Sequence, residues 1–292
     1  MFSTIPRSAL ILLLLLAVLW GVNWPIMKIA LSGVSPWVFR SLAGLAGAAG
    51  LFLVARLNGY SLRVPRSQWS GLVVAAVLNM SIWNILVLYG IDLMNSGRAA
   101  ILAYTMPLWA SLISVWLLGE RLSLRALLAL LFGLLGMALL FWSGDPQQES
   151  ILGPVLVVLA ALSWGAGTVT IKYYAFSLPV TVLTAWLHLL GAVPIVIITL
   201  IWDIRSFEMP GLWPALCVFY NMTVTAVFCY WAYFKVVTQL PVVVSTVGTL
   251  MVPVLGVFSN ALIFQQAPPL ADYIALLAVG LAVFLVMTRK PA

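Results

Sequence analysis

Apolar runs of membrane-crossing length dominate this sequence. Turn-forming or charged clusters separate ten of them, at 8–32, 36–55, 69–91, 96–118, 123–143, 151–176, 180–202, 211–235, 241–263 and 270–288. A bilayer core demands about 20 residues of helix, and every run is near that length. The connections between runs are short, so no sizeable extramembrane domain is expected. Composition agrees, with 64% hydrophobic and 7% charged residues, where a soluble globular chain is about 25% charged. That excludes a soluble enzyme, a nucleic-acid binder and a disordered scaffold. A β-barrel would show short alternating segments, and none occur. The expectation is an all-α integral membrane protein of ten transmembrane helices, with 1–292 forming one membrane domain in a lipid bilayer. Arg7 ahead of the run at 9–19 resembles a secretory leader, but the run continues to residue 30 without a small-residue cleavage site, so it reads as a first span.

The 14 basic residues, which bring the formal charge to +7, read as orientation signals rather than as a nucleic-acid patch. With the N-terminus cytoplasmic, Arg7, Arg56, Arg63, Arg66, Arg121, Arg125, Lys172, Lys235, Arg289 and Lys290 lie inside. Only Lys28, Arg40, Arg98 and Arg205 then lie outside. The excess of inside charges predicts a multi-pass protein of the cell (inner) membrane with both termini cytoplasmic. Cys217 and Cys229 share one apolar run, which favours packing over a disulfide framework.

A repeat underlies the spans. Trp20-Gly21 recurs as Trp164-Gly165, and Lys28 as Lys172, both 144 residues later. Pro107 precedes Glu120 by 13 residues, as Pro253 precedes Gln266. The halves are 8–143 and 151–288, with five spans each. Five is odd, so the second half enters the membrane from the opposite side, an inverted-topology repeat. That arrangement recurs in secondary transporters, with the site near the midplane where the repeats meet.

Trp20-Gly21-Val22-Asn23-Trp24 running to Lys28, with Pro107 leading to Leu118-Gly119-Glu120-Arg121, resembles the drug/metabolite transporter superfamily, EamA type. The resemblance spans the whole chain. It implies a ten-helix, five-plus-five carrier, and the aromatic richness is similar to the branch that exports aromatic and other neutral amino acids. Gln266 stands where the family usually has Glu, and Gly165 is followed by Ala-Gly-Thr rather than an Asn- or Ser-rich run.

Catalysis has little to work with. One histidine and seven acids, most near span ends, supply no carboxylate pair. No zinc spacing, phosphate loop or serine motif occurs, so no enzyme activity, metal or cofactor is expected.

Polar side chains in mid-span are costly in lipid and mark cavities or helix contacts. Trp20, Asn23, Trp24 and Met27 share one face of the first span by their i, i+3, i+4, i+7 spacing. Trp164, Thr168 and Ile171 form the matching stripe in the sixth span. Asn79 and Trp83 mark the third, and Tyr220, Asn221 and Thr225 the eighth. Tyr104 and Trp109 mark the fourth, and Ser245 and Thr249 the ninth. The alternative use of these residues is interhelical hydrogen bonding plus an aromatic belt. Taken together they predict an aromatic cavity for a small-molecule substrate, an amino acid or related metabolite with an apolar side chain.

Lys28 and Lys172 sit near span ends, where snorkelling to headgroups is the default and attraction of a substrate carboxylate the alternative. His188 reads first as a satisfied interior histidine and second as a proton site. Arg40 and Arg98 can pair with Asp92 to close an outer gate, or stand as solvated loop charges. Glu120 reads as a helix-end partner of Arg121, with coupling as its alternative. Pro107 and Pro253 are matched candidates for bending points in alternating access. Gly44, Gly47 and Gly50, and Gly133 and Gly136, permit close helix packing within a monomer or between the protomers of a homodimer. The expected function is export of amino acids from the cytoplasm by alternating access. A multidrug exporter of lipophilic cations and a non-transporting receptor or partner subunit are the alternatives.

Overall fold

The computed structural model describes residues 7–119, scattered positions between 124 and 139, residue 150 onward to 239, and 251–287. Among these residues the chain is helical, without strands. The helices are α1 (Arg7–Leu31), α2 (Pro36–Leu57) and α3, which runs unbroken through Trp69–Ala76, Val77–Ile82 and Trp83–Asp92. Next come α4 (Ser96–Ala103), α5 (Met106–Leu118), α6 (Leu152–Tyr174) and α7 (Val180–Ile198). The eighth, α8, joins Leu212–Tyr220, Asn221–Cys229 and Tyr230–Gln239, and α9 (Met251–Phe264) and α10 (Leu270–Met287) follow.

Seven stretches among the described residues are long and apolar enough to cross a membrane. They are Leu14–Leu31, Pro36–Leu57, Arg66–Asp92, Ser96–Leu118, Leu152–Tyr174, Val180–Asp203 and Leu212–Tyr233. The protein is thus a multi-pass membrane protein. These stretches match seven of the expected runs. The run expected at 123–143 and the start of that at 241–263 lie largely outside the described residues.

Local chemistry sets several boundaries. Ser35 caps α2 by accepting from the Val38 amide at 3.2 Å, and Pro36 follows at the first helical position, where its missing N–H costs nothing. Asn95 caps α4, accepting from the Gly97 and Arg98 amides. The fourth run, expected as one helix, breaks at Tyr104-Thr105. Pro107 has no N–H to give the Ala103 carbonyl, and the helix restarts at Met106. Thr105 helps close the turn by donating to the Leu102 carbonyl at 2.7 Å. Gly119 takes φ +67° at the end of α5, a conformation suited to glycine.

Three helices contain wide, π-type turns: Val77–Ile82 in α3, Asn221–Cys229 in α8, and Thr199–Asp203 at the end of α7. Such turns are rare and collect at functional sites. Those in α3 and α8 lie in the third spans of the two sequence halves, and each contains a buried asparagine, Asn79 or Asn221.

The halves exchange their first helices. From the first half, α1 packs on α8 and α9, whereas α6, which opens the second half, packs on α3, α4 and α5. The Trp-Gly pairs explain how the backbones approach. A Cβ on Gly21 would lie 2.5 Å from Leu255 Cβ, and one on Gly165 would lie 2.8 Å from the Ala110 nitrogen. At the centre, α2 packs along α7. Gly44 meets Ala192, Gly47 meets His188, and Gly50 meets Val227. These glycines therefore serve contacts within the chain, as Gly133 does against Leu108. Close van der Waals packing of this kind, rather than escape from water, holds helices together in lipid. Outward-facing Trp116, Trp202, Trp213 and Leu277 stay exposed, as a lipid-facing perimeter requires.

Candidate functional site

The exchanged helices build a polar core at mid-span. Asn23, on α1, accepts from the Asn221 amide at 2.8 Å and from the Thr225 hydroxyl at 3.0 Å, both on the wide turns of α8. The equivalent place in the other half joins α6 to α3. There Gly167, 144 residues after Asn23, faces Asn79, and a Cβ on Gly167 would strike the Asn79 amide. Asn79 is buried, and its Nδ2 has no hydrogen-bond partner. One contact is thus satisfied and its counterpart is not.

An aromatic cluster lies beside this core. Trp83 and Trp164 have ring centroids 4.9 Å apart. Trp164 lies 6.0 Å from Tyr230 and 6.1 Å from Tyr233, and Trp20 lies 5.7 and 5.3 Å from the same two rings. Trp20, Trp83 and Trp164, singled out in three different spans, therefore meet around two tyrosines of α8. Tyr230 and Tyr233 escaped the sequence reading, although their i, i+3 spacing beside Asn221 and Thr225 puts them within reach of one face of that helix.

A narrow cavity opens where α2, α3, α7 and α8 meet, with room for about one water molecule. Arg40, Gly44, Asn84, His188, Asn221 and Tyr230 are among its walls. Tyr230 joins the cavity to the aromatic cluster, packing edge-on against His188 with centroids 4.6 Å apart. Several buried polar atoms of the walls have no partner: Arg40 Nε, His188 Nε2, Asn84 Oδ1 and Asn221 Oδ1. Asn84 spends its amide on the Met80 carbonyl at 2.6 Å, which leaves its oxygen as the open group. His188 is thus interior, with Nε2 as its open ring nitrogen.

The remaining candidates are placed as follows. Trp24 and Tyr104 are buried in the main core, and Trp109 packs against it, donating from Nε1 to Thr105 Oγ1 at 3.2 Å. Tyr220 donates to the Leu19 carbonyl at 2.8 Å, pinning α8 to α1. Thr168 is exposed and bonds back to the Trp164 carbonyl of its own helix. Lys172 and Asp92 are exposed. The half-buried Lys28 binds the end of α3, its ammonium donating to the Ile91 and Met94 carbonyls at 3.1 and 2.5 Å.

The expected pairing of Arg98 with Asp92 is not made. Asn95 starts α4 so that Arg98 falls in its first turn, buried, with Nε 3.3 Å from Asp272 Oδ1 on α10. Arg40 is likewise buried rather than solvated. Pro107 stands in the first turn after the break between α4 and α5, and Pro253 near the start of α9. Ser245, Thr249 and Glu120 lie outside the described residues. Among the described residues no cluster of metal-binding side chains occurs.

The profile of the EamA-like transporter family matches two stretches, residues 7–142 and 151–288. A Bacillus subtilis protein named "Uncharacterized transporter YoaV" is 25% identical over 245 residues, covering 82% of this chain and 83% of its own. An Escherichia coli protein named "Probable amino-acid metabolite efflux pump" is 24% identical over 278 residues, covering 88% of this chain and 87% of its own. A crystal structure superposes with a TM-score of 0.68 at 22% identity, covering 95% of this chain and 96% of that one.

Proposed function

The chain belongs to the EamA-like transporter family, two copies of whose profile fill it, and on that premise we propose that it exports amino acids, aromatic and other neutral ones, from the cytoplasm. One observation carries the reading. The exchanged helices bring Trp20, Trp83 and Trp164 together around Tyr230, directly beside unpartnered polar atoms of a buried cavity. Rings for an apolar side chain next to hydrogen-bonding groups for a polar head suit a small amphiphilic zwitterion. The Escherichia coli relative's name points the same way.

The carrier works by alternating access in a ten-span, five-plus-five inverted repeat, with both termini cytoplasmic in the inner membrane. Support for the inverted repeat comes from the reciprocal packing, α1 on α8 and α9 and α6 on α3 to α5. The helical positions between 124 and 139, with α9 and α10, are compatible with three further spans. A lipophilic-cation exporter would want a carboxylate in its cavity, and among the described cavity walls there is none.

Flux in proteoliposomes over a panel of amino acids and lipophilic cations tests the proposal. Uptake or exchange of large neutral amino acids supports it. Movement of lipophilic cations alone, or binding of amino acids without movement, overturns it.

A further inference from the structure

The most demanding residue in the cavity is Arg40. It lies in the second turn of α2 and is 6% exposed. Among the described residues its one hydrogen-bond partner is the sulfur of Met27, 3.2 Å from a terminal nitrogen, and Nε has none. The Phe39 ring, 5.2 Å from Cζ, adds a weak cation–π contact. A thioether is a poor acceptor, and a buried guanidinium without a carboxylate is expensive. Arg98, also buried, shows what the fold does when the charge is structural: it supplies Asp272.

The same cavity carries acceptors. Asn84 Oδ1 and Asn221 Oδ1 are buried in the same cavity and unpartnered. The amide of each is already committed, Asn84 to the Met80 carbonyl and Asn221 to Asn23, so the oxygens are what each presents. One cavity therefore offers an uncompensated cation and two open carbonyl oxygens, with Tyr230 leading from it to the indoles.

We infer that Arg40 is the anchor for the substrate's carboxylate, and that Asn84 and Asn221 receive its ammonium group. The inference rests on the reading of the chain as an amino-acid carrier and deepens it: recognition is of the zwitterionic head, and the rings grade the side chain. Guanidinium and carboxylate match as a two-pronged pair, which a lysine cannot reproduce. Since the cavity has room for about one water molecule here, the head group enters only as α2 and α7 part from α8.

The test is competition for exchange of labelled L-phenylalanine in proteoliposomes by three compounds. These are unlabelled phenylalanine, phenylalaninamide, which lacks the carboxylate, and 3-phenylpropionate, which lacks the ammonium. Charge-assisted bonds of this kind correspond to about 10- to 100-fold in affinity, and both analogues should compete that much more weakly. In Arg40→Gln the preference for phenylalanine over its amide should vanish, whereas in Asn84→Ala the preference over phenylpropionate should shrink. Equal competition by amide and acid on the unmodified protein overturns the inference without needing any variant. So does an Arg40→Gln protein that is monodisperse in detergent and keeps the preference. If no amino acid is exchanged at all, the carrier reading fails first; if amino acids exchange without regard to the head group, this inference alone fails.

Discussion

The side-chain amide of Asn221 donates to Asn23 Oδ1 at 2.8 Å, joining helices that begin about 200 residues apart in the chain. Thr225 donates to the same oxygen. In the corresponding position of the other half, Gly167 leaves the Asn79 amide unmatched. The two halves share a packing scheme but not its polar chemistry at this pair of contacts.

Asn23→Ala removes one acceptor and strands two buried donors. The expected cost is about 0.6–2 kcal/mol, the range for polar contacts between membrane helices. Melting in detergent should show a lower Tm than that of the unmodified protein. An unchanged Tm would mean that Asn221 and Thr225 find other partners.

Gly165→Ala places a methyl group 2.8 Å from the Ala110 nitrogen and 3.0 Å from the Met106 carbonyl, both backbone atoms that cannot swing aside. Helices α5 and α6 must separate, and yield and Tm should both fall. Gly211→Ala, whose added methyl meets nothing within 4 Å, is the control and should leave both unchanged.

Trp164→Ala deletes the ring that links Trp83 to Tyr230 and Tyr233. Aromatic contacts are worth about 0.5–1.5 kcal/mol beyond burial. Transport of phenylalanine and leucine should therefore drop roughly 2- to 10-fold, and alanine should suffer less because it reaches fewer rings. Trp202→Ala, at an exposed perimeter position, should leave flux alone. Normal flux in both Trp164→Ala and Trp83→Ala would remove the aromatic surface from the mechanism.

Asp272→Asn removes the carboxylate charge beside the buried Arg98 guanidinium, a loss of up to about 3–5 kcal/mol. Arg98→Gln with Asp272→Asn together should be closer to the unmodified protein than either alone. Thermal unfolding of the four proteins gives the coupling, and additive effects would show that the pair does not act as one.

Orientation is tested with single cysteines on a cysteine-free background. Positions 66 and 290 should react with an impermeant reagent only after the membrane is opened. Labelling of either in intact cells would invert the proposed topology.

The sequence made the scaffold legible because spans in lipid announce themselves by length, and the Trp-Gly pairs announced the repeat. Trp20, Trp83 and Trp164 were identifiable because an indole in mid-span is conspicuous. Arg40 was not. Four residues from Pro36, it reads as a loop-end charge, and only the packing of α2 on α7 reveals it as buried. The partner of Arg98 was misread for a related reason. Asp92 is near in sequence, whereas Asp272 comes near only through the fold, when α10 reaches α4. The wide turns of α3 and α8 leave no mark in composition, since they follow from which carbonyl each amide selects.

The exchange of first helices also sets a timetable. Once Leu31 has left the ribosome, the chain must grow to Leu212 before the first residues of α8 exist. At about 5–20 residues per second that takes roughly 10 to 40 seconds. For all that interval Asn23 is without the Asn221 and Thr225 donors that hold it in the folded chain. A ribosome that stalls near the middle of the message therefore leaves α1 with only its lesser contacts, those to α2, α3 and α4.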